Sequence, residues 1–233
     1  MIADANCGTV MKPTVIFDLD GTLADTAADL IAAANAALAG MGHRGVLTAG
    51  ADDATAFRGG RAMLKLAATR LDLADGEGLA DRGYQPLLEA YGAAIDVHTL
   101  LYPGAEAAVK RLRDQGFAVG ICTNKPEGLA VRLVERLGIA PLFDALVGAD
   151  TLPVRKPDPA PYLEAVTRAG GDPARALLVG DTETDRKTAT AAGAPCILVG
   201  FGPEGQGISR LSPEALLHHY DDLDGVVAGL LRA

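Results

Sequence analysis

An apolar, β-prone run, Val15-Ile16-Phe17, stops abruptly in Asp18-Leu19-Asp20-Gly21-Thr22-Leu23, and this stretch limits the possible folds more than any other. Such a run reads as a buried parallel strand. Ligands of open α/β folds bind beyond the carboxyl ends of such strands, where the chain leaves the sheet. Residues i and i+2 of a strand share a face, so Asp18 and Asp20 begin close together. Two carboxylates that close repel unless a proton or a cation lies between them, and a divalent metal is the natural third member. Taken alone, the pair is equally compatible with solvated loop acids. Later segments of the chain bear on the choice.

A chain of 233 residues accommodates one large domain, or a core with an insertion. Its 49% hydrophobic and 22% charged residues are the balance of a globular protein rather than a disordered one. Nothing approaches 18 uninterrupted apolar residues, so no membrane partner is expected. The net charge of −9 argues against nucleic acid, which needs a basic face. It also means that an anionic substrate must be held by a few local cations. Cys7, Cys122 and Cys196 fit neither a disulfide framework nor a zinc spacing, and the simplest setting for them is a reducing cytoplasm. The first dozen residues do not read as a secretory signal, and Met11-Lys12-Pro13 offers an alternative start that would leave residues 1–10 as a loose tail.

From Asp25 to Leu101 the texture changes. Leu30, Ile31, Ala34 and Leu38 fall at helical spacing within Ala24–Leu38, and Met63–Leu71 and Leu87–Ile95 repeat the signal. No strand is evident there. The expectation is a helical cap over residues 25–101, inserted between two parts of an α/β core, residues 1–24 and 102–233, with its joints at Leu23–Thr26 and Thr99–Gly104. A block joined to the core beside the Asp pair is placed to act as a lid. Within it, Phe57-Arg58-Gly59-Gly60-Arg61 is either a loop whose arginines or amides reach a substrate carboxylate, or a plain helix start with solvent-facing cations. Arg58 and Gly59 are the candidate specificity residues.

The remainder alternates strand and helix. Strands are expected at Ala118–Cys122, Phe143–Val147, Ala176–Val179 and Cys196–Val199, with helices at Pro103–Gln115, Pro126–Leu137 and Pro161–Ala169, and a helical tail over Pro213–Leu217 and Leu223–Leu231. The second strand ends in Thr123-Asn124-Lys125-Pro126, where a hydroxyl and an amide either hold phosphate oxygens or cap the next helix. Prolines follow Lys156 in Arg155-Lys156-Pro157-Asp158-Pro159 and would fix it as a rigid cation. The fourth strand ends in Gly180-Asp181, with Asp185 four residues on and on the same side, although acids at a helix start are also ordinary caps.

Each signal is modest, but a parallel sheet would bring all of these strand ends to one edge. The set resembles the haloacid dehalogenase superfamily of hydrolases over essentially the whole chain. Hydrophobic-Asp-x-Asp-Gly-Thr is matched by Asp18–Thr22, the Thr or Ser after a strand by Thr123, the lysine by Lys156, and Gly-Asp with a second acid by Gly180, Asp181 and Asp185. The resemblance implies a doubly wound, Rossmann-like parallel sheet with an inserted all-helical cap. It also implies Mg²⁺-dependent hydrolysis of a small phosphate ester through an aspartyl-phosphate. Asp18 would be the nucleophile and Asp20 the general acid and base. The metal would be held by Asp18, the Asp20 carbonyl and Asp181, and the phosphoryl group by Lys156, Thr123 and the Asn124 N–H. Asp185 would orient metal waters or Lys156. Asp20 argues against dehalogenating members, which lack the second Asp, and the cap's single lysine, Lys65, argues against phosphonate cleavage. Asp18–Thr26, the Thr-Asn-Lys triplet and the Phe201-Gly202 loop look more like phosphoglycolate phosphatases than sugar-phosphate mutases. Thr182 stands where many members have Ser. The competing expectation from another class is a non-catalytic binding or regulatory module on the same fold.

Overall fold

The apolar runs pair side by side, all in one direction, and so bury both faces of the sheet. The structure, a computed structural model, describes residues 11–231; the proposed tail at 1–10 and Cys7 lie outside the described residues. Six strands form the main sheet: β1 (Lys12–Phe17), β4 (Ala118–Cys122), β5 (Ala145–Val147), β6 (Gly171–Gly180), β7 (Cys196–Val199) and β8 (Ala215–Leu217), in the order β5-β4-β1-β6-β7-β8. Every pairing in it is parallel. The strand order turns back at β1 and β6, which places the expected binding crevice beyond their carboxyl ends.

Alternation along the strands builds two apolar layers. Val15, Phe17, Val119, Ile121, Leu177 and Val179 face one way, and Ile16, Cys122, Leu178, Cys196 and Leu198 the other. The first face is covered by α5 (Ala105–Asp114), α6 (Glu127–Arg136) and α9 (Leu223–Leu231), the second by α7 (Ala160–Arg168) and α8 (Glu183–Ala192). The result is the Rossmann-like fold expected from the sequence.

Three expectations need correction. Pro213–Leu217 is not helical: Ala215–Leu217 is the edge strand β8, with Leu217 opposite Val199. Three residues cannot register either periodicity, and a fully buried Leu217 closing the apolar layer decides the outcome. The stretch after Asp20 also contains strand. β2 (Ala24–Asp25) pairs antiparallel with β3 (Leu100–Leu101), so the first helix starts at Ala27 rather than Ala24. In addition, β6 begins five residues before the expected Ala176, because its first half is mostly exposed and carries no apolar pattern.

Between β2 and β3 lie α1 (Ala27–Gly40), α2 (Asp53–Ala56), α3 (Gly60–Arg70) and α4 (Gly76–Ala93). Leu30, Ile31, Ala34, Leu38, Met63, Leu64, Leu87 and Tyr91 bury the facing sides of these helices. Both ends of the block are tied at the same place. The buried Asp29 carboxylate on α1 accepts His98 N at 2.9 Å, Thr99 N at 2.9 Å and Thr99 Oγ1 at 2.8 Å. Among the described residues, no helix is long and apolar enough to cross a membrane.

Candidate active site

The carboxyl ends of β1 and β6 each carry an aspartate, and the geometry around them follows from keeping those acids buried. Asp18 N continues the sheet by donating to Val179 O at 2.8 Å, while the Asp18 carboxylate accepts from Leu19 N through Oδ1 at 2.7 Å. The chain then turns at Gly21, whose φ of +78° suits glycine. A Cβ on Gly21 would lie 2.3 Å from Asp181 Oδ2, so the turn also needs the space. Thr22 Oγ1 donates to Asp181 Oδ1 at 2.9 Å and ties the first motif to the fourth.

Lys156 stands between the acids. Its Nζ lies 2.6 Å from Asp185 Oδ1 and 3.1 Å from Asp18 Oδ2. Its carbonyl accepts from Asn124 Nδ2 at 2.9 Å, which fixes the segment that carries it. Burial opposes the charge on Lys156, but Asp18 and Asp185 outweigh it and hold the ammonium above its ordinary range. Asp185 is fully committed. Its Oδ2 accepts from Thr182 Oγ1 at 2.6 Å, Thr182 N at 3.1 Å and Asp181 N at 3.3 Å, closing a capping box at the start of α8. Asp185 therefore caps α8 through Oδ2 while its Oδ1 meets the Lys156 ammonium. Gly180 makes this possible, since a Cβ there would lie 2.4 Å from that of Asp185.

Asp18, Asp181 and Asp185 offer oxygens within 4.8 Å of one another. Burial pushes the Asp18 carboxyl up to about 7 against the pull of Lys156, with Asp185 and Asp20 adding to the rise. Burial likewise holds Asp181 well above the ordinary carboxylate range, reinforced by Asp185 and Asp18. Asp181 Oδ2 is buried without a hydrogen-bond partner. The orphaned carboxylate oxygen beside the buried acid Asp18, in a set of donors that are all oxygens, fits a hard divalent cation.

Asp20 turns away from this cluster. Its Oδ1 accepts from Thr26 Oγ1 at 2.7 Å and pairs with Lys125 Nζ at 2.8 Å. Its side chain is engaged by Thr26 and Lys125 and is not one of the three clustered acids. Thr123 is buried, and its Oγ1 accepts from Lys125 N at 3.2 Å. Neither Thr123 nor Asn124 caps α6, whose first-turn cap position is Pro126 with no side-chain bond.

Arg58 and Gly59 are exposed, and Gly59 is the residue before α3. Arg61 follows the solvent-facing reading and pairs with Asp81. Neighbouring Phe57 reaches the aspartate loop, with Cδ1 3.0 Å from where a Gly21 Cβ would lie. Phe57, Asp25, Asp53, Tyr102, Phe201 and Gly202 line a cleft of about 290 Å³ between the helical block and the loop after β7.

Sequence reasoning gave Thr22, Thr26, Lys125 and Tyr91 no role. Thr22 closes the first motif and Lys125 the Thr-Asn-Lys triplet, and both could have been suspected from that. Tyr91 looks like any apolar position of α4.

A family model described as haloacid dehalogenase-like hydrolase matches residues 12–193. The phosphoglycolate phosphatase of Mesorhizobium japonicum is 39% identical over 232 residues, covering 95% of this chain and 98% of that one. That of Cereibacter sphaeroides is 38% identical over 222 residues, covering 94% and 99%. The crystal structure of a predicted phosphoglycolate phosphatase from Haemophilus somnus superposes with a TM-score of 0.80 at 24% identity, covering 92% of this chain and 97% of that one, a likeness of fold.

Proposed function

The chain belongs to the haloacid dehalogenase-like hydrolases, and from that premise we propose that it is a Mg²⁺-dependent phosphatase of a small phosphorylated metabolite, with 2-phosphoglycolate the first candidate. One observation carries the reading: Asp18 shares an ammonium with Asp185 while the orphaned Asp181 oxygen lies in the same acid cluster.

In this reading Asp18 attacks phosphorus, and the new oxygen–phosphorus bond forms as the bond to the alcohol breaks. Asp20 gives its proton to the departing alcohol. It then takes one from the water that attacks the aspartyl-phosphate, and inorganic phosphate leaves with Asp18 restored. Lys156 neutralises Asp18 before attack and then faces the phosphoryl oxygens, helped by Thr123 and the Asn124 N–H. Asp18, Asp181 and the Asp20 carbonyl would hold Mg²⁺, which would supply the remaining positive charge needed for one anion to approach another. Helices α1–α4 serve as the cap, with Phe57 reaching the aspartate loop and the adjoining Arg58 and Gly59 as the candidate specificity residues. The buried free cysteines Cys122 and Cys196 agree with a reducing cytoplasmic setting.

Purified protein assayed on a panel of phosphate esters tests the reading. Phosphate release is expected with Mg²⁺, loss with EDTA, and a fall of at least about 10³-fold in Asp18→Asn, as for removal of a nucleophile. Turnover that survives in Asp18→Asn, or is indifferent to chelator, refutes it.

A further inference from the structure

Lys125 has no part in the steps above, yet it is one of the most enclosed charges in the molecule at 6% exposed. Its ammonium lies 2.8 Å from Asp20 Oδ1 and 3.1 Å from the Tyr91 hydroxyl, 4.3 Å from the centre of that ring. Burial opposes its charge, and Asp20 with Tyr91 more than restores it. A buried ion pair is weak grounds for stability, since apolar residues of the same volume usually serve as well. The pairing does have a consequence for Asp20.

An ammonium has three donors and no acceptor. With Lys125 and Thr26 both directed at Oδ1, a proton placed on that oxygen would face the ammonium's hydrogens. Oδ2 is bonded to no protein donor among the described residues. A general acid must carry its proton on the oxygen facing the leaving group. We infer that Lys125, steadied by Tyr91, is a positioning residue that fixes the Asp20 carboxyl and confines its transferable proton to Oδ2. The proton then passes from Oδ2 to the alcohol oxygen as the bond to phosphorus breaks, and is later regained from water.

Tyr91 adds a second consequence. It belongs to α4, whose neighbouring Gly92 packs against Leu129 of α6. The lysine is steadied only while α4 is seated on the core, so general acid catalysis is coupled to the position of the helical block. Asp29 and Thr26 anchor the same block at its root, and Thr26 holds the same Asp20 oxygen.

This inference rests on the phosphatase reading, and leaving-group dependence separates the two. With saturating Mg²⁺, kcat/KM is measured for p-nitrophenyl phosphate, whose leaving group needs no protonation, and for an alkyl phosphate, whose leaving group does. Lys125→Met is expected to lower kcat/KM on the alkyl ester by about 10²-fold, the scale of a general acid contribution, while p-nitrophenyl phosphate falls only severalfold. Tyr91→Phe keeps the ammonium and should move the ratio the same way by less. It also carries the test should Lys125→Met fail to fold by circular dichroism. Equal losses on both esters in the folded variants, or no loss on the alkyl ester, overturn the positioning role while the phosphatase reading stands. A wild-type protein that hydrolyses neither ester overturns both.

Discussion

Replacing Asp185 by Asn changes one atom and removes an acceptor that buried donors require. The carboxylate serves Lys156 with Oδ1 and three donors at the start of α8 with Oδ2. An amide has one oxygen, so either the ammonium or the α8 donors must face an NH₂ group. Removing one partner of a buried pair costs about 3–5 kcal/mol. Lys156 keeps Asp18 at 3.1 Å, which puts the expected loss near the lower end, at about 3 kcal/mol. For a chain of this size that lowers Tm by about 6–12 °C. Urea unfolding with an unchanged m-value provides the measurement. The double variant with Lys156→Met should be less destabilised than the sum of the single variants by at least about 1 kcal/mol, because the two residues share one contact. A loss below about 1 kcal/mol, or strict additivity, would show that Lys156 does not depend on Asp185.

Other outcomes follow from the same geometry. Gly21→Ala must adopt a φ of +78° and push its Cβ against Asp181 Oδ2, so it should weaken Mg²⁺ binding and destabilise the fold by about 1–3 kcal/mol; calorimetric titration showing wild-type affinity would contradict this. Burial raises the Asp18 carboxyl to about 7 and Asp181 well above its ordinary value. The metal-free native state therefore holds protons there that the unfolded chain releases, and this contribution to stability is present below the unfolded value and lost as pH rises through about 7. Mg²⁺ must displace those protons, so its stabilising shift in Tm should be larger near pH 8 than near pH 6, and a reversed order in melting scans would refute the assignment.

The strand ends were legible because each combined a buried apolar run with a polar break, as in Val15–Asp20 and Leu177–Asp181. One physical requirement, fully buried strands in a parallel sheet, made the pattern strong and brought its polar ends together. What escaped notice lacked that contrast. Ala215–Leu217 is too short for any periodicity, and Ala24–Asp25 pairs with Leu100–Leu101 across the whole helical block, a relation no local window contains. Lys125 sat in plain view after Asn124, but its importance lies in a side-chain direction. It points to Asp20 and to Tyr91, 34 residues upstream, and only the docking of α4 creates that contact. The Phe57–Arg61 loop stayed ambiguous because its two readings differ in orientation rather than composition. Arg61 turns outward to Asp81, while Phe57 turns inward to Gly21.

Covalent trapping at Asp18 examines the heart of the account. Enzyme mixed with substrate and Mg²⁺, quenched during turnover and reduced with borohydride, should yield homoserine at position 18 on peptide mass spectrometry, with the Asp20→Asn variant accumulating more because hydrolysis of the aspartyl-phosphate is slowed. Phosphate released at the full rate with residue 18 never modified, or with the modification at another carboxylate, would contradict it.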